Sequence, residues 1–233
     1  MTFRYWLFVG LTLILTAFIS YGTYATSQLL KRWHPDQNIL LNPIENVARV
    51  GVIVLCLALG LLSGLDKTQL GWQLTEVNRQ ISVGIGIGVV LGIVFYFSTR
   101  LVMALTGKRF YSTIVIQHLV PNNNQELILV LMAMAPVVFL EELLFRSLLL
   151  GGFSPVVPVM SLAIILSILF GLLHTPQGIW GIIGAGLAGF LFSLLFLWQQ
   201  SLLAPVLAHY VTNAIQLVQA KRTLPSDYST DYT

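Results

Sequence analysis

Apolar residues in this chain come in long runs rather than in alternation. Seven stretches, at about 5–24, 47–65, 81–97, 127–150, 159–173, 179–198 and 202–218, are almost wholly apolar. Breaks rich in turn residues separate them, among them Trp33-His34-Pro35-Asp36, Asp66-Lys67, Pro121-Asn122-Asn123-Asn124, Gly151-Gly152-Phe153-Ser154-Pro155 and Thr175-Pro176-Gln177-Gly178. A spanning helix needs about 20 mostly apolar residues. The pattern therefore predicts an all-α, polytopic transmembrane helix bundle of about seven spans. The fifth run is short for a full span. The first run reads as a retained helix, because its apolar stretch exceeds a typical signal core. Residues 1–220 are expected to form one membrane domain, with the chemistry-bearing core at 127–218. The polar tail, 221–233, is expected to be unstructured.

Composition agrees. Hydrophobic residues make up 56% of the chain and charged ones 9%, with a mean hydropathy of +0.83. A soluble domain carries roughly 25% charged residues to cover its surface. The net charge of +3 is scattered between apolar runs, which suits loop charges that orient a membrane protein and not a nucleic-acid partner. The expected partners are membrane lipids and a peptide or protein substrate. With seven spans, Arg4, Lys67, Arg79 and Arg146 fall toward the N-terminal side. Lys31, Arg32, Arg49, Arg100, Lys108, Arg109, Lys221 and Arg222 fall on the other. The positive-inside rule then sets an outside N-terminus and a cytoplasmic C-terminus. The expected site is the plasma membrane of a bacterium or a bacterial-type organelle membrane. The single cysteine, Cys56, lies in an apolar run and reads as a buried packing residue.

Glycines recur at a spacing of four: Gly84, Gly88 and Gly92 in the third run, then Gly181 and Gly189 around Ala185 in the sixth. Small residues at that period let membrane helices approach closely, and internal packing is expected here.

The segment Phe139-Leu-Glu-Glu-Leu-Leu-Phe-Arg146 breaks the pattern. A charge at mid-bilayer costs about 2.5 to 3.5 kcal/mol on insertion scales, so three within six residues require partners or a task. Glu142 and Arg146 are four apart with the acid first, the better order for an ion pair. Glu141 lies about 100° round the helix and is left over. Burial among apolar groups raises a carboxyl group's hold on its proton, which suits a general base. Two further features sit in other runs. His174 ends the fifth, in Phe170-Gly-Leu-Leu-His174, and Thr175-Pro176 should stop the helix there. His209 and Asn213 share a face of the seventh, in His209-Tyr-Val-Thr-Asn213. Glu141, His174, His209 and Asn213 could surround one water in a polar cavity between the fourth, fifth and seventh helices. Two kinds of chemistry stay open. One is water activation with oxyanion stabilisation. The other is a divalent-metal site, with Glu141, His174 and His209 as zinc-type ligands. HExxH and GxSxG are both absent.

These three motifs, in this order, resemble the CPBP family of intramembrane proteases, which includes the type II CAAX prenyl proteases and the Abi (bacteriocin-immunity) proteins. The family pattern is EExxxR, then FxxxH, then HxxxN, and every position is filled here. The resemblance implies that Glu141 activates water with help from His174. His209 and Asn213 would form the oxyanion hole. Glu142, Arg146 and Phe170 would support the site. The family is often labelled metalloprotease, whereas a metal-free glutamate mechanism is favoured for its CAAX-type members, so no cofactor follows from the resemblance.

The expected function is thus an intramembrane endopeptidase acting on a hydrophobic or lipidated peptide, with CAAX-type processing as one form. The alternative is a non-catalytic membrane scaffold or immunity factor of the same family. A transporter would call for internal repeats, which the sequence lacks. One geometric condition applies. An α-helix from Glu141 to Leu150 rises about 13 Å and one from Val159 to His174 about 22 Å. For both to reach one water, residues 151–158 must dip into the protein, where irregular backbone is tolerated at membrane depth.

Overall fold

The computed structural model describes residues 1–30, 32, 35, 37–107, 110, 112 and 118–223. Lys31, His34, Lys108, Arg109 and residues 224–233 of the tail lie outside them. Among the described residues the chain is helical, with seven α-helices that coincide with the seven apolar runs. They are α1 (Phe3–Leu29), α2 (Pro43–Ser63), α3 (Val77–Thr106), α4 (Asn124–Glu142), α5 (Val159–Leu173), α6 (Gly178–Gln199) and α7 (Leu203–Thr223). Five are long and apolar enough to cross a membrane: α1, α2, α3, α4 with its continuation to Gly151, and α6 with the turn before it. α5 is apolar but has only 15 residues, and α7 is long but carries a polar face.

Local chemistry sets the boundaries. Asn42 caps α2 by accepting from the Ile44 and Glu45 amides, with Pro43 in the first turn, and Gly64 closes it at φ 71°. Asn123 caps α4 by accepting from the Glu126 amide, while Glu126 reaches back to the Asn122 amide. Pro176 stops α5 as expected, and Thr175–Gln177 becomes a single 3₁₀ turn. Several helices extend past their apolar runs, and at two of their C-terminal ends a side-chain bond accompanies the extension. α3 continues through Ser98, Thr99 and Arg100, because Ser98 bonds back to the Val94 carbonyl and Arg100 to the Tyr96 hydroxyl. α7 continues through Lys221–Thr223, so the first part of the expected loose tail is helix, and Lys221 donates to Asn124.

The centre of the bundle is a rod. α4 passes at Glu142 into a π-helix, Leu143–Gly151, and every residue from Glu142 to Phe153 is buried. The wider π turn departs from the continuous α-helix expected for this run. The condition on 151–158 is met in its first half. Gly151, Gly152 and Phe153 are buried in protein, whereas Val156 and Pro158 are exposed. The connection between α2 and α3 tucks against this rod. Leu70 is 1% exposed, the Gly71 carbonyl accepts from the Leu202 amide, and the Trp72 indole donates to Ser147 at 2.9 Å. α1 packs on the same centre through Tyr5 and Phe8, and the Tyr5 hydroxyl donates to the Gly152 carbonyl.

The glycine stripe on α3 serves internal packing. A Cβ at Gly84 would lie 2.7 Å from the Ala204 carbonyl oxygen, and one at Gly88 would lie 2.7 Å from that of Ala208. Both oxygens belong to α7, so α3 and α7 meet backbone to backbone. Gly88→Val is expected to destabilise the protein by about 1 to 3 kcal/mol through overpacking. Gly86→Val is the matched control, because a Cβ there meets nothing within 4 Å. Thermal unfolding in detergent should separate the two, with Gly86→Val within about 0.5 kcal/mol of wild type. Equal stability of both variants would contradict the backbone contact.

Candidate active site

α7 presents His209 to the rod, and the rod presents Glu142 to α7. Glu142 is 0% exposed and Arg146 1% exposed. Oε1 of Glu142 accepts from the Arg146 Nη1 at 3.0 Å and from the His209 Nδ1 at 2.8 Å. The Arg146 Nη2 donates onward to the Gly189 carbonyl on α6 at 2.9 Å. The Glu142–Arg146 pair expected from spacing is therefore present. What spacing did not reveal is that Glu142 also holds His209, 67 residues away. Three aromatic rings, Phe145, Phe170 and Phe192, surround the guanidinium at 5.9, 5.0 and 5.6 Å. Glycine at 189 leaves room for it, since a Cβ there would approach both Phe170 and Arg146.

The neighbouring carboxylate behaves differently. The Glu141 side chain is 32% exposed, makes no side-chain hydrogen bond among the described residues, and stands with Oε2 3.6 Å from the His209 Nε2. So the two adjacent glutamates divide as their positions on the helix predicted. Glu142 turns into the protein, and Glu141 turns into a cavity of about 250 Å³.

His174, at the end of α5, borders the same cavity. Its Nδ1 is 2.7 Å from the Phe170 carbonyl oxygen. A carbonyl can only accept, so Nδ1 carries the hydrogen and Nε2 is left for other partners. The same reasoning applies to His209, whose Nδ1 faces a carboxylate. Phe170 stands between the two imidazoles, with ring centroids at 4.8 Å from His174 and 5.9 Å from His209. Phe192 stacks on His209 at 5.0 Å and 25°. Asn213 borders the cavity, and its amide makes no side-chain hydrogen bond among the described residues.

The structure therefore brings Glu141, His174, His209 and Asn213 to one cavity, from α4, α5 and α7. It adds walls that the three motifs do not contain. α6 contributes Trp180 and Phe192, and α3 contributes Phe95 and Thr99, with the Trp180 indole donating to Thr99 at 3.0 Å. At its far end the cavity meets Leu40, Leu119, Gln177 and Ala220. These lie where α2 and α4 begin and where α5 and α7 end, so the cavity opens toward one face of the bundle.

For a divalent ion the expected ligands are Glu141, His174 and His209. Among the described residues no three His, Cys, Asp or Glu side chains are placed to hold a metal ion. Both Nδ1 atoms are bonded, one to a main-chain carbonyl and one to Glu142, which leaves both Nε2 atoms to the cavity, so the misfit lies in the spacing of the groups and not in their bonding. As placed, these three side chains do not fit a metal ion.

Fold and site together define an integral membrane protein, a polytopic helical bundle with polar residues gathered at an internal cavity. Residues 123–215 match the protein-family model described as Type II CAAX prenyl endopeptidase Rce1-like. This is a family of proteases, and it is the one that the three motifs resemble. The match starts at the cap of α4 and contains Glu141, Glu142, Arg146, Phe170, His174, His209 and Asn213. It leaves α1, α2 and α3 outside. No curated protein and no solved structure matches the chain at a significant level.

Proposed function

We propose that the protein is an intramembrane endopeptidase that hydrolyses a peptide bond in a hydrophobic or lipidated substrate, using water activated by Glu141 and His174. The observation that carries this is the division of labour between adjacent carboxylates. Glu142 is bonded twice and fully buried, while Glu141 makes no side-chain hydrogen bond among the described residues and faces a cavity shared with His174, His209 and Asn213.

In this reading a water between Glu141 and His174 loses a proton to Glu141 as it attacks the scissile carbonyl. His174 presents Nε2 to that water, because its Nδ1–H is fixed on the Phe170 carbonyl. The carbonyl oxygen becomes an oxyanion, which the Asn213 amide and the His209 ring stabilise. Glu142 holds the His209 Nδ1–H and so fixes the ring with Nε2 toward the oxyanion, where Nε2 donates only when it carries a proton as well. Glu141 then returns its proton to the leaving amine.

For topology we propose that all seven helices cross, with α5 and α7 completing their crossings inside the bundle. The face onto which the cavity opens also carries Arg32, Arg49, Arg100, Lys221 and Arg222. The positive-inside rule assigns that face, and with it the C-terminus, to the cytoplasm. The substrate's peptide then reaches the site from the cytoplasmic side of a bacterial-type membrane.

The test is cleavage of a fluorogenic apolar peptide, with and without a farnesylated cysteine, by the purified protein. Wild type should cleave at least one of the two. His174→Ala should lower kcat by about 10²-fold or more. A chelator should leave the rate unchanged if Glu141 and His174 alone activate the water. Loss of activity on chelation, restored by a divalent ion, would overturn the metal-free step. A wild-type protein that cleaves neither peptide would favour the non-catalytic scaffold.

A further inference from the structure

We infer that Gln216 is a substrate-positioning residue that binds the peptide main chain about three residues from the scissile bond. The inference rests on the peptidase reading and adds to it a way of holding the substrate. Its starting point is the polar inventory of the cavity wall. Beside the residues already given roles, four polar side chains line it: Thr99, Gln177, Thr212 and Gln216. Two are occupied within the protein. Thr99 accepts from the Trp180 indole, and Thr212 donates to the Ala208 carbonyl. The amides of Gln177 and Gln216 make no side-chain hydrogen bond among the described residues. Both side chains are partly exposed where they line the cavity, so their amides are open to a ligand there.

Their positions give the pattern meaning. His209, Asn213 and Gln216 succeed one another along the cavity face of α7, at helical spacings of four and three. Seven residues of helix place Gln216 about 10 Å along the axis from His209, toward the open end. An extended peptide advances about 3.3 Å per residue, so about three residues cover that distance. Gln177 lines the same cavity from the turn between α5 and α6. A side-chain amide offers both a donor and an acceptor, which is what a peptide unit requires. The walls between the amides are largely apolar, with Val137, Ala185 and Ala188 among them. Such a channel satisfies a substrate's main chain with amides and leaves its side chains to shape alone. The substrate class is thus an extended apolar peptide strand, recognised by backbone more than by sequence.

The experiment uses fluorogenic apolar peptides in which each amide nitrogen in turn is methylated, which removes one main-chain donor at a time. The proteins are wild type and Gln216→Met, close in shape but without the amide. Gln216→Met is expected to raise KM about five- to tenfold with kcat nearly unchanged, the mark of lost uniform binding. In wild type, methylation about three residues from the scissile bond should weaken binding. In Gln216→Met the same methylation should have no further effect. A wild-type KM in Gln216→Met, or an unchanged sensitivity at that position, would overturn the inference and leave the peptidase reading standing. Binding of the labelled peptides to Glu141→Gln, with and without Gln216→Met, separates the two failures. If wild type binds the peptides but cleaves none, the peptidase reading fails, and the binding comparison at Gln216 alone decides the inference. Should Gln216→Met fail to fold, the methylation scan on wild type still decides it: no sensitive position three residues from the cut overturns it.

Discussion

Glu141→Gln is expected to lower kcat for peptide cleavage by about 10²- to 10⁴-fold, the range that general acid–base catalysis contributes. Thermal stability and peptide affinity should stay near those of wild type. The asymmetry follows from the surroundings of the side chain. Glu141 makes no side-chain hydrogen bond among the described residues and is a third exposed, and the His209 ring 3.6 Å from it keeps Glu142 on its Nδ1, so replacing the carboxylate leaves His209 held. A glutamine amide fills the same space but cannot take a proton from water. The measurement is a fluorogenic cleavage assay beside a melting curve in the same detergent. Full activity in Glu141→Gln would remove Glu141 from the chemistry, whatever the motif suggests.

The second large effect is expected at Arg146, and it falls on stability. Arg146→Leu leaves the Glu142 carboxylate fully buried with only the His209 ring to bond it. Breaking a buried pair by removing one partner costs about 3 to 5 kcal/mol. Glu142 already has one oxygen, Oε2, without a hydrogen-bond partner, so it has little compensation to draw on. The protein should melt well below wild type or fail to be recovered. Replacing both partners, Glu142→Leu with Arg146→Leu, should recover much of the loss, because the buried charges are then gone together. The Gly189 carbonyl keeps a donor in the Ser193 hydroxyl. Activity should not recover, since His209 has lost the carboxylate that orients its Nδ1–H. A double variant that is stable and active would show that Glu142 serves packing alone. One that is as unstable as Arg146→Leu would contradict the pairing account.

The same stretch shows how far the primary structure could be read. The i,i+4 relation between Glu142 and Arg146 is a property of any helix, and it remains in place across the change from α4 to the π-helix. The separation of Glu141 from Glu142 is equally local, since adjacent residues on a helix point about 100° apart. The apolar runs located all seven helices, because a run long enough to span must bond its backbone within itself. Where polar residues interrupted a run, as at Ser98 to Arg100, the helix continued, because those side chains bond back to their own turn.

Other features had no local signature. The π-helix arises where the rod must bury all its faces against α1, α2, α5, α6 and the α2–α3 connection. Nothing in Leu143–Gly151 distinguishes that from an ordinary apolar helix. The insertion of Trp72 against Ser147 links positions 75 apart, and the composition of residues 64–76 is that of a plain loop. The contribution of α6 was likewise hidden, because Gly189 acts through its carbonyl and its lack of a side chain.

By itself the sequence determined that this chain is a helical membrane protein, which residues pair within a helix, and which polar residues are too costly to be incidental. Those come from hydropathy and helical periodicity, which act over a few turns. Only the tertiary structure decided that His209 hangs on Glu142, that Phe170 separates the two histidines, and that Glu141 is the carboxylate left to the cavity. Those relations join helices tens of residues apart, and they depend on how close α6 and α7 come to the rod and α3 to α7. Small residues such as Gly84, Gly88 and Gly189 permit that approach, but which surfaces meet is decided by packing the whole bundle at once.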